Sequence, residues 1–145
     1  MIFTGLLRRF AKLDDHDRLG TWAAKAWEAL LALQDYARCK EDGRCATGLR
    51  GYILDTPVGC RGFSANQHST VESEQVRNNA KFANTRVFPV PESLEGSGLL
   101  FVEAHVKLGA KRMVSPRLYY VDNTHADGNI YVGYIGRHLP NTQTN

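Results

Sequence analysis

The sequence predicts an α+β fold with two N-terminal helices packed on a C-terminal four-stranded antiparallel sheet. Hydrophobic residues recur with a helical period up to about residue 84 and with a strand period after residue 85. Short connections rich in Gly, Ser, Pro, Asn and Asp separate the later segments, as is typical of antiparallel hairpins. The 145 residues suit one domain, so we predict a single domain over 1–145, helical over 1–84 and sheet over 85–140.

The first predicted element is an amphipathic helix over about 17–39. Aspartates crowd its predicted start, where carboxylates meet unpaired amides and the positive end of the helix dipole, and Gly43 can close its other end. Both tryptophans of the apolar stripe are predicted to anchor the core. The stripe has the i, i+3, i+4, i+7 spacing of one buried face and consists of Leu19, Trp22, Ala23, Ala26, Trp27, Leu30, Leu33, Tyr36 and Ala37.

The next segment, from Gly43 to Gln67, is rich in glycine and is predicted to be irregular, with only RGYIL showing strand character. It contains no glycine motif of the kind that cradles a nucleotide phosphate. A second helix over about 70–83 is predicted from a capping box of Ser69 with Glu72.

Four strands are predicted in TRVFPV, LLFVEAHVKL, SPRLYYVDN and NIYVGYIGRHL. Alternation assigns one face to the core and leaves the other open to solvent or to a partner. The predicted core-facing set comprises Val102, Ala104, Val106, Leu108, Ile130, Val132 and Tyr134.

The register of the first predicted hairpin places Val106 opposite Leu118, which sets His105 opposite Tyr119 and Lys107 opposite Arg117. Two like charges on neighbouring strands repel each other, and a bound anion would offset this repulsion. The second predicted hairpin places Tyr119 opposite Gly133 and Arg117 opposite Ile135. Gly133 would then leave a gap beside Tyr119 that a flat group could approach.

The predicted open face collects cations, tyrosines and a histidine. Arginine and lysine can stabilise a phosphoryl group while a histidine or tyrosine moves protons, a set that suits metal-free cleavage of RNA through its own 2′-hydroxyl. The same set suits plain RNA or DNA binding, with tyrosines stacking on bases. The candidate catalytic residues are His105, Lys107, Arg117, Tyr119 and Arg137, and the candidate nucleic-acid-binding residues are Arg77, Lys81, Lys111, Arg112 and Tyr131.

Charge and hydropathy bound the function classes. A net charge of +3 and a pI of 8.8 permit a nucleic-acid partner without requiring one. No apolar run reaches the roughly 18–20 residues that span a bilayer, and MIFTGLLRRF has its arginines after its apolar stretch, the wrong order for a secretory signal. We therefore predict a cytoplasmic protein with no membrane partner.

Three cysteines, an odd number without an export signal, predict reduced thiols rather than a disulfide framework. Together with His68, the cysteines Cys39, Cys45 and Cys60 form a C-x5-C-x14-C-x7-H pattern of four potential zinc ligands. The pattern lacks the close C-x2-C pairs of zinc fingers, so no metal and no cofactor are predicted.

The strand meander that ends in PRLYYVDNTHADGNIYVGYIGRHL resembles the C-terminal hairpin of the RelE/ParE type of toxin, over Thr85 to Pro140. The resemblance implies helices on a small sheet with a basic and aromatic face, RNA cleavage at Lys107, Arg117, Tyr119 and Arg137, and an antitoxin-like partner. The chain departs from those toxins in its length, in its glycine-rich excursion, and in a first strand that would have to be IFTGLL. The whole chain, with VRNNAKFANTRVFPVP and the ending YVGYIGRHLPNTQTN, also resembles a family of actinobacterial proteins, and this resemblance points to no particular activity.

The predicted function is a small RNA-contacting protein that acts as a RelE/ParE-like, metal-independent ribonuclease. The alternative is a non-catalytic interaction module that uses the same face for a protein or a nucleic acid. A third class, a zinc-stabilised binding domain, depends only on the cysteines and His68.

Overall fold

The computed structural model describes residues 1–5, 20–109 and 115–142. Helices cover one face of a five-stranded sheet, and a separate two-stranded hairpin packs on the other face. The prediction of an α+β fold is confirmed, whereas its four-stranded sheet differs in detail from the observed arrangement. None of the helices in these three ranges is long and apolar enough to cross a membrane.

The first helix, α1 (Thr21–Glu41), begins directly after Gly20, whose positive φ of 64° suits glycine. The helical period is as predicted, but the buried face of the helix is rotated about the helix axis relative to the predicted apolar stripe. Trp27 is 63% exposed, so its predicted role as a core anchor is wrong, while Trp22 is half-buried against the core. Small side chains occupy much of the buried face, which allows the helix to lie close to the sheet; its buried residues are Ala26, Ala29, Ala32, Leu33, Tyr36, Ala37 and Cys39.

A short helix interrupts the segment predicted to be irregular. The helix α2 (Leu49–Leu54) includes the RGYIL run, so the strand character assigned to that run is wrong. Leu49, Tyr52 and Ile53 have helical i, i+3, i+4 spacing and are all buried. The Tyr52 ring meets that of Tyr36 edge-on at 5.3 Å between centroids, which packs α2 against α1.

The predicted second helix is instead two single turns, α3 (Glu74–Arg77) and α4 (Ala80–Ala83). Asn79 interrupts the helix because its side chain accepts a hydrogen bond from the Lys81 amide and caps α4. The predicted capping box is also wrong, since Ser69 belongs to a strand. A capping box does form at Ser64 with Gln67, around a 3₁₀ turn.

The strands are β1 (Ile2–Phe3), β2 (His68–Ser69), β3 (Val87–Pro89), β4 (Leu99–Phe101), β5 (His105–Lys107), β6 (Arg117–Asn123) and β7 (Asn129–Gly136). The main sheet has the strand order β1-β7-β6-β5-β2, in which β1 is parallel to β7 and the other pairs are antiparallel. A second sheet contains β3 and β4 alone. A one-turn helix, α5 (Thr124–Asp127), connects the two longest strands.

The segment LLFVEAHVKL was predicted to be one strand, and this prediction is wrong because the segment forms two strands in different layers. β4 pairs with β3 in the hairpin, and β5 pairs with β6 in the main sheet. Between them the Val102 amide donates to the Arg86 carbonyl, and the Ala104 carbonyl accepts from the Tyr120 amide. The chain therefore crosses from one layer to the other at 102–104, with one backbone hydrogen bond to each layer.

The first predicted register is confirmed, because Val106 lies opposite Leu118. The second register holds from Tyr120, which lies opposite Val132, but both predicted pairs are wrong, because Tyr119 lies opposite Tyr134 rather than Gly133. Gly133 is left without a partner as the extra residue of a β-bulge. The bulge shifts the later pairs by one residue, so Arg117 lies opposite Gly136 rather than Ile135, and the residues of β7 after Gly133 point to the faces opposite to those predicted.

The bulge and the layer crossing divide the core in two. Val106, Leu118 and Ile135 pack with the helices, whereas Tyr134 and Val102, predicted to join them, belong to a second cluster. Phe88 of β3 lies in that second cluster between Tyr119 and Tyr134, with ring centroids 5.7 Å from each. The second cluster consists of Phe88, Val102, Tyr119, Tyr134 and Leu139. The β3–β4 hairpin therefore covers the sheet face that was predicted to be open.

Candidate functional site

The covered face brings together three of the five predicted catalytic residues. His105 and Tyr119 are cross-strand neighbours with ring centroids 4.9 Å apart, and Arg117 lies two residues before Tyr119 on β6. All three are buried, with His105 and Arg117 each 7% exposed and Tyr119 1% exposed. A polymer on the surface of the protein therefore meets little of their side chains.

Glu72 is the central group of this face, although sequence reasoning assigned it only to a helix cap. Its Oε1 accepts hydrogen bonds from the Tyr119 hydroxyl and from Arg86 Nε, both at 2.6 Å. His105 Nδ1 is 3.9 Å from the same oxygen. We call Glu72, Arg86, His105, Arg117 and Tyr119 the Glu72 cluster.

Arg86 was not predicted as a functional residue, and its side chain is fully buried. Its Nη1 donates to the carbonyls of Phe82 and Pro140 and to Thr85 Oγ1, each at 3.0 Å. These bonds tie the start of β3 to the C-terminal segment. An arginine directly before the apolar run VFPV was the one signal in the sequence for such a buried cation.

The predicted conflict between Lys107 and Arg117 is resolved within the chain. Arg117 Nη1 donates to the Ser115 hydroxyl at 2.7 Å and to the carbonyls of Ser115 and Pro116 at 3.1 Å. Arg117 Nε and Arg86 Nη2 are buried and have no hydrogen-bond partner among the described residues.

The protonation states of the Glu72 cluster follow from its contacts. Burial by itself would raise the pKa of Glu72, but the hydrogen bonds from Tyr119 and Arg86 outweigh it, and the net pKa lies below the ordinary carboxyl value. Burial lowers the pKa of His105, whose Nδ1 donates to the Glu103 carbonyl at 2.8 Å. Burial and the bond to Glu72 raise the pKa of Tyr119. At neutral pH the cluster therefore holds an anionic Glu72, a neutral His105 and a protonated Tyr119.

We expect the free energy of unfolding to decrease when the pH is lowered from 7.5 to 5.5. Burial lowers the pKa values of His68, His105 and His138 in the folded protein. The unfolded chain then takes up protons near pH 6.5, while the folded chain takes them up only at lower pH, so stability is lost as the pH falls. Urea unfolding at both pH values measures the change. The variant His125→Gln, at an exposed position, should retain the same dependence, and equal stability at the two pH values would contradict the expectation.

The remaining predicted residues lie apart from the Glu72 cluster. Arg137 is exposed and lines a groove of about 340 Å³ beside Tyr134. Arg77 forms an ion pair with Glu103 at 2.6 Å, and Lys81 lies exposed on α4.

Tyr131 is buried, and its hydroxyl donates to Asp127 at 2.5 Å. The predicted binding residues Lys111 and Arg112 lie outside the described residues.

A second region, an open cleft of about 480 Å³, lies between α1 and the end of β5. Gln67 Nε2 donates to the Lys107 carbonyl at 3.1 Å, and the Ser64–Gln67 capping box shapes the adjoining turn. Its walls combine two cations with amides and an aromatic ring. We call it the Lys25–Lys107 cleft; it is lined by Lys25, Glu28, Ala29, Gly62, Phe63, Asn66, Gln67, Lys107 and Gly109.

The proposed zinc ligands do not meet as a group. His68 Nε2 is hydrogen-bonded to the Tyr120 hydroxyl at 2.6 Å, and the Cys45 thiol contacts the Thr47 carbonyl at 3.4 Å. Across the three ranges of described residues, no set of three or more His, Cys, Asp or Glu side chains has a metal-binding arrangement.

Comparison of the chain with protein-family models, with curated proteins and with solved structures finds no match. The resemblance to RelE/ParE toxins therefore stays a prediction.

Proposed function

We propose that this protein contacts RNA through the Lys25–Lys107 cleft and does not cleave it. The cleft itself is the observation that supports this proposal. Lys25 and Lys107 supply two cations for phosphates, and Phe63 supplies a ring on which a base can stack. Asn66 adds an amide group that can hydrogen-bond to base edges or sugars. The Gln67 amide instead bonds the Lys107 carbonyl and the Ser64 amide, and so fixes the wall of the cleft.

The Glu72 cluster supports the non-catalytic form of the proposal. A proton-transferring group must reach the substrate within hydrogen-bond distance, directly or through one water. Tyr119 is almost fully buried, and its hydroxyl is already bonded to Glu72. His105 is likewise buried and uses Nδ1 to bond the Glu103 carbonyl. These groups hold the β3–β4 hairpin on the sheet and leave no acid–base pair displayed to an RNA strand.

Replacing Lys25 or Lys107 by Gln is expected to weaken binding of a fluorescein-labelled single-stranded RNA, measured by fluorescence anisotropy. Each lost phosphate contact should also make the log–log dependence of affinity on salt shallower by about 0.7. Replacing Glu28 by Gln should strengthen binding, because it removes the one carboxylate among the residues that line the cleft. The control is Arg50→Gln, which removes one positive charge from an exposed position on α2 and should leave RNA affinity nearly unchanged.

Two results would refute the RNA proposal. Unchanged RNA affinity in the double variant Lys25→Gln/Lys107→Gln would remove the cleft as the binding site. Equal affinity for polyglutamate and for RNA at the same salt concentration would show a general attraction of anions rather than recognition of a nucleic acid.

A metal-independent ribonuclease is the second candidate, because His105, Arg117 and Tyr119 do lie together on one sheet face. Arg86 Nη2 and Arg117 Nε, which have no hydrogen-bond partner within the described part of the chain, add buried donors that could hold a phosphate. Incubating labelled RNA with the purified protein in EDTA distinguishes the candidates. Under our proposal the RNA stays intact; cleavage that disappears in a folded His105→Gln variant would favour the ribonuclease and a search for its antitoxin-like partner.

A further inference from the structure

Two cysteines distant in the sequence lie side by side outside both regions described above. Cys39, near the end of α1, and Cys60, in the loop after α2, have their Sγ atoms 3.2 Å apart. A disulfide requires about 2.0 Å, so a displacement of roughly 1.2 Å would bring the sulfurs to bonding distance. Cys45 is not part of this pair, since its thiol is turned to Thr47.

The two sulfurs differ in their surroundings. Cys39 is buried, and burial together with its hydrogen bond to Cys60 raises the pKa of its thiol to about 11. Cys60 is half-buried, and Arg44 Nη2 lies 3.6 Å from its sulfur. The same Nη2 donates to the Val58 carbonyl at 3.0 Å, which holds the guanidinium beside the loop. Of the two sulfurs, Cys60 is the one that solvent reaches and that a cation faces, so Cys60 is the attacking sulfur and Cys39 is the resolving one.

We propose that Cys39 and Cys60 form a reversible disulfide when the protein meets a peroxide. The Cys60 sulfur attacks one oxygen of hydrogen peroxide, the O–O bond breaks, and Cys60 becomes a sulfenic acid while the departing hydroxide takes the Cys60 proton and leaves as water. The Cys39 sulfur then attacks the Cys60 sulfur, and the hydroxyl leaves as water with the Cys39 proton. The two sulfurs are oxidised by two electrons in total, and the peroxide oxygens are reduced to two molecules of water.

The test is hydrogen peroxide treatment of the full-length protein, followed by thiol counting under denaturing conditions and by peptide mapping. We expect two of the three thiols to be lost, a mass decrease of two hydrogen atoms, and a linked peptide pair containing Cys39 and Cys60. Dithiothreitol should restore all three thiols. A linkage through Cys45, a bond between two chains, or equal and independent oxidation of the three cysteines would overturn the proposal.

Variants test the assigned roles. Cys45→Ser should still form the bond, and Cys39→Ser should stop at a Cys60 sulfenic acid that dimedone traps. Arg44→Gln should slow the loss of thiols by about threefold, with Arg50→Gln as the control of equal charge. If Arg44→Gln reacts at the unaltered rate, or if dimedone labels Cys39 first, Cys60 is not the activated thiol. Mapping of the unaltered chain decides the pairing even where a serine variant folds poorly.

Discussion

Replacing Glu72 by Gln is expected to lower the free energy of unfolding by about 3–5 kcal/mol, the range seen when one partner of a buried ion pair is removed. The expectation depends on Arg86, whose side chain is fully buried and whose Nε lies 2.6 Å from Glu72 Oε1. The amide of Gln cannot compensate that charge, and the Tyr119 hydroxyl loses a charged acceptor. Urea denaturation followed by circular dichroism measures the loss.

The matched control for this variant is Glu74→Gln, which removes the same charge from an exposed position two residues along the chain. It should change stability by less than about 0.5 kcal/mol. The double variant Glu72→Gln/Arg86→Met should be more stable than Glu72→Gln alone, because it no longer buries an unpaired cation. A Glu72→Gln protein as stable as the Glu74→Gln control would mean that the Glu72 cluster does not hold the hairpin to the sheet.

Replacing Gly133 by Val is expected to destabilise the fold by about 1–3 kcal/mol, as overpacking of a core does. A Cβ at Gly133 would lie 2.9 Å from the Phe88 Cβ and 3.0 Å from two atoms of its ring. The flat group that the sequence predicted beside Gly133 is therefore the chain's own Phe88, and the hairpin would have to move away from the sheet. Thermal unfolding and urea denaturation both detect the loss.

A double-mutant cycle separates this contact from a general effect on the strand. In a Phe88→Ala background the ring is absent, so adding Gly133→Val should cost less than it does in the unaltered chain. Gly128→Ala offers a comparison at a glycine whose φ of 74° is the difficulty and which has open space around it. Additive effects of Phe88→Ala and Gly133→Val would contradict the close packing of these two residues.

Much of the local structure could be predicted from the sequence. The period of about 3.6 residues in the first part of the chain predicted α1 because a helix buries one stripe of side chains. The alternation around Val106 and Leu118 predicted the pairing of β5 with β6 because a slip by one residue would expose the core face. Both patterns are properties of short segments.

The errors arise where distant segments decide the outcome. A single unpaired residue, Gly133, turns Tyr134 to the opposite face from the one predicted. A glycine inside a strand can mark either a bulge or a gap beside a neighbouring side chain, and NIYVGYIG by itself does not decide between them. The crossing at 102–104 is likewise invisible in LLFVEAHVKL, because its alternation continues through the change of layer. Trp27 is exposed because small residues on α1 meet the sheet instead.

The same division holds for the candidate site. By itself the sequence determined an α+β chain, the cross-strand contact of His105 with Tyr119, and a supply of cations near the strands. Only the tertiary structure decided that this face is covered. Phe88 and Glu72 reach it from segments whose sequence patterns do not indicate which other segment they contact. It also decided that Lys107 shares a cleft with Lys25, and that Cys39 meets Cys60. Burial and pairing depend on which elements meet in space, whereas periodicity reports only which side of one element is apolar.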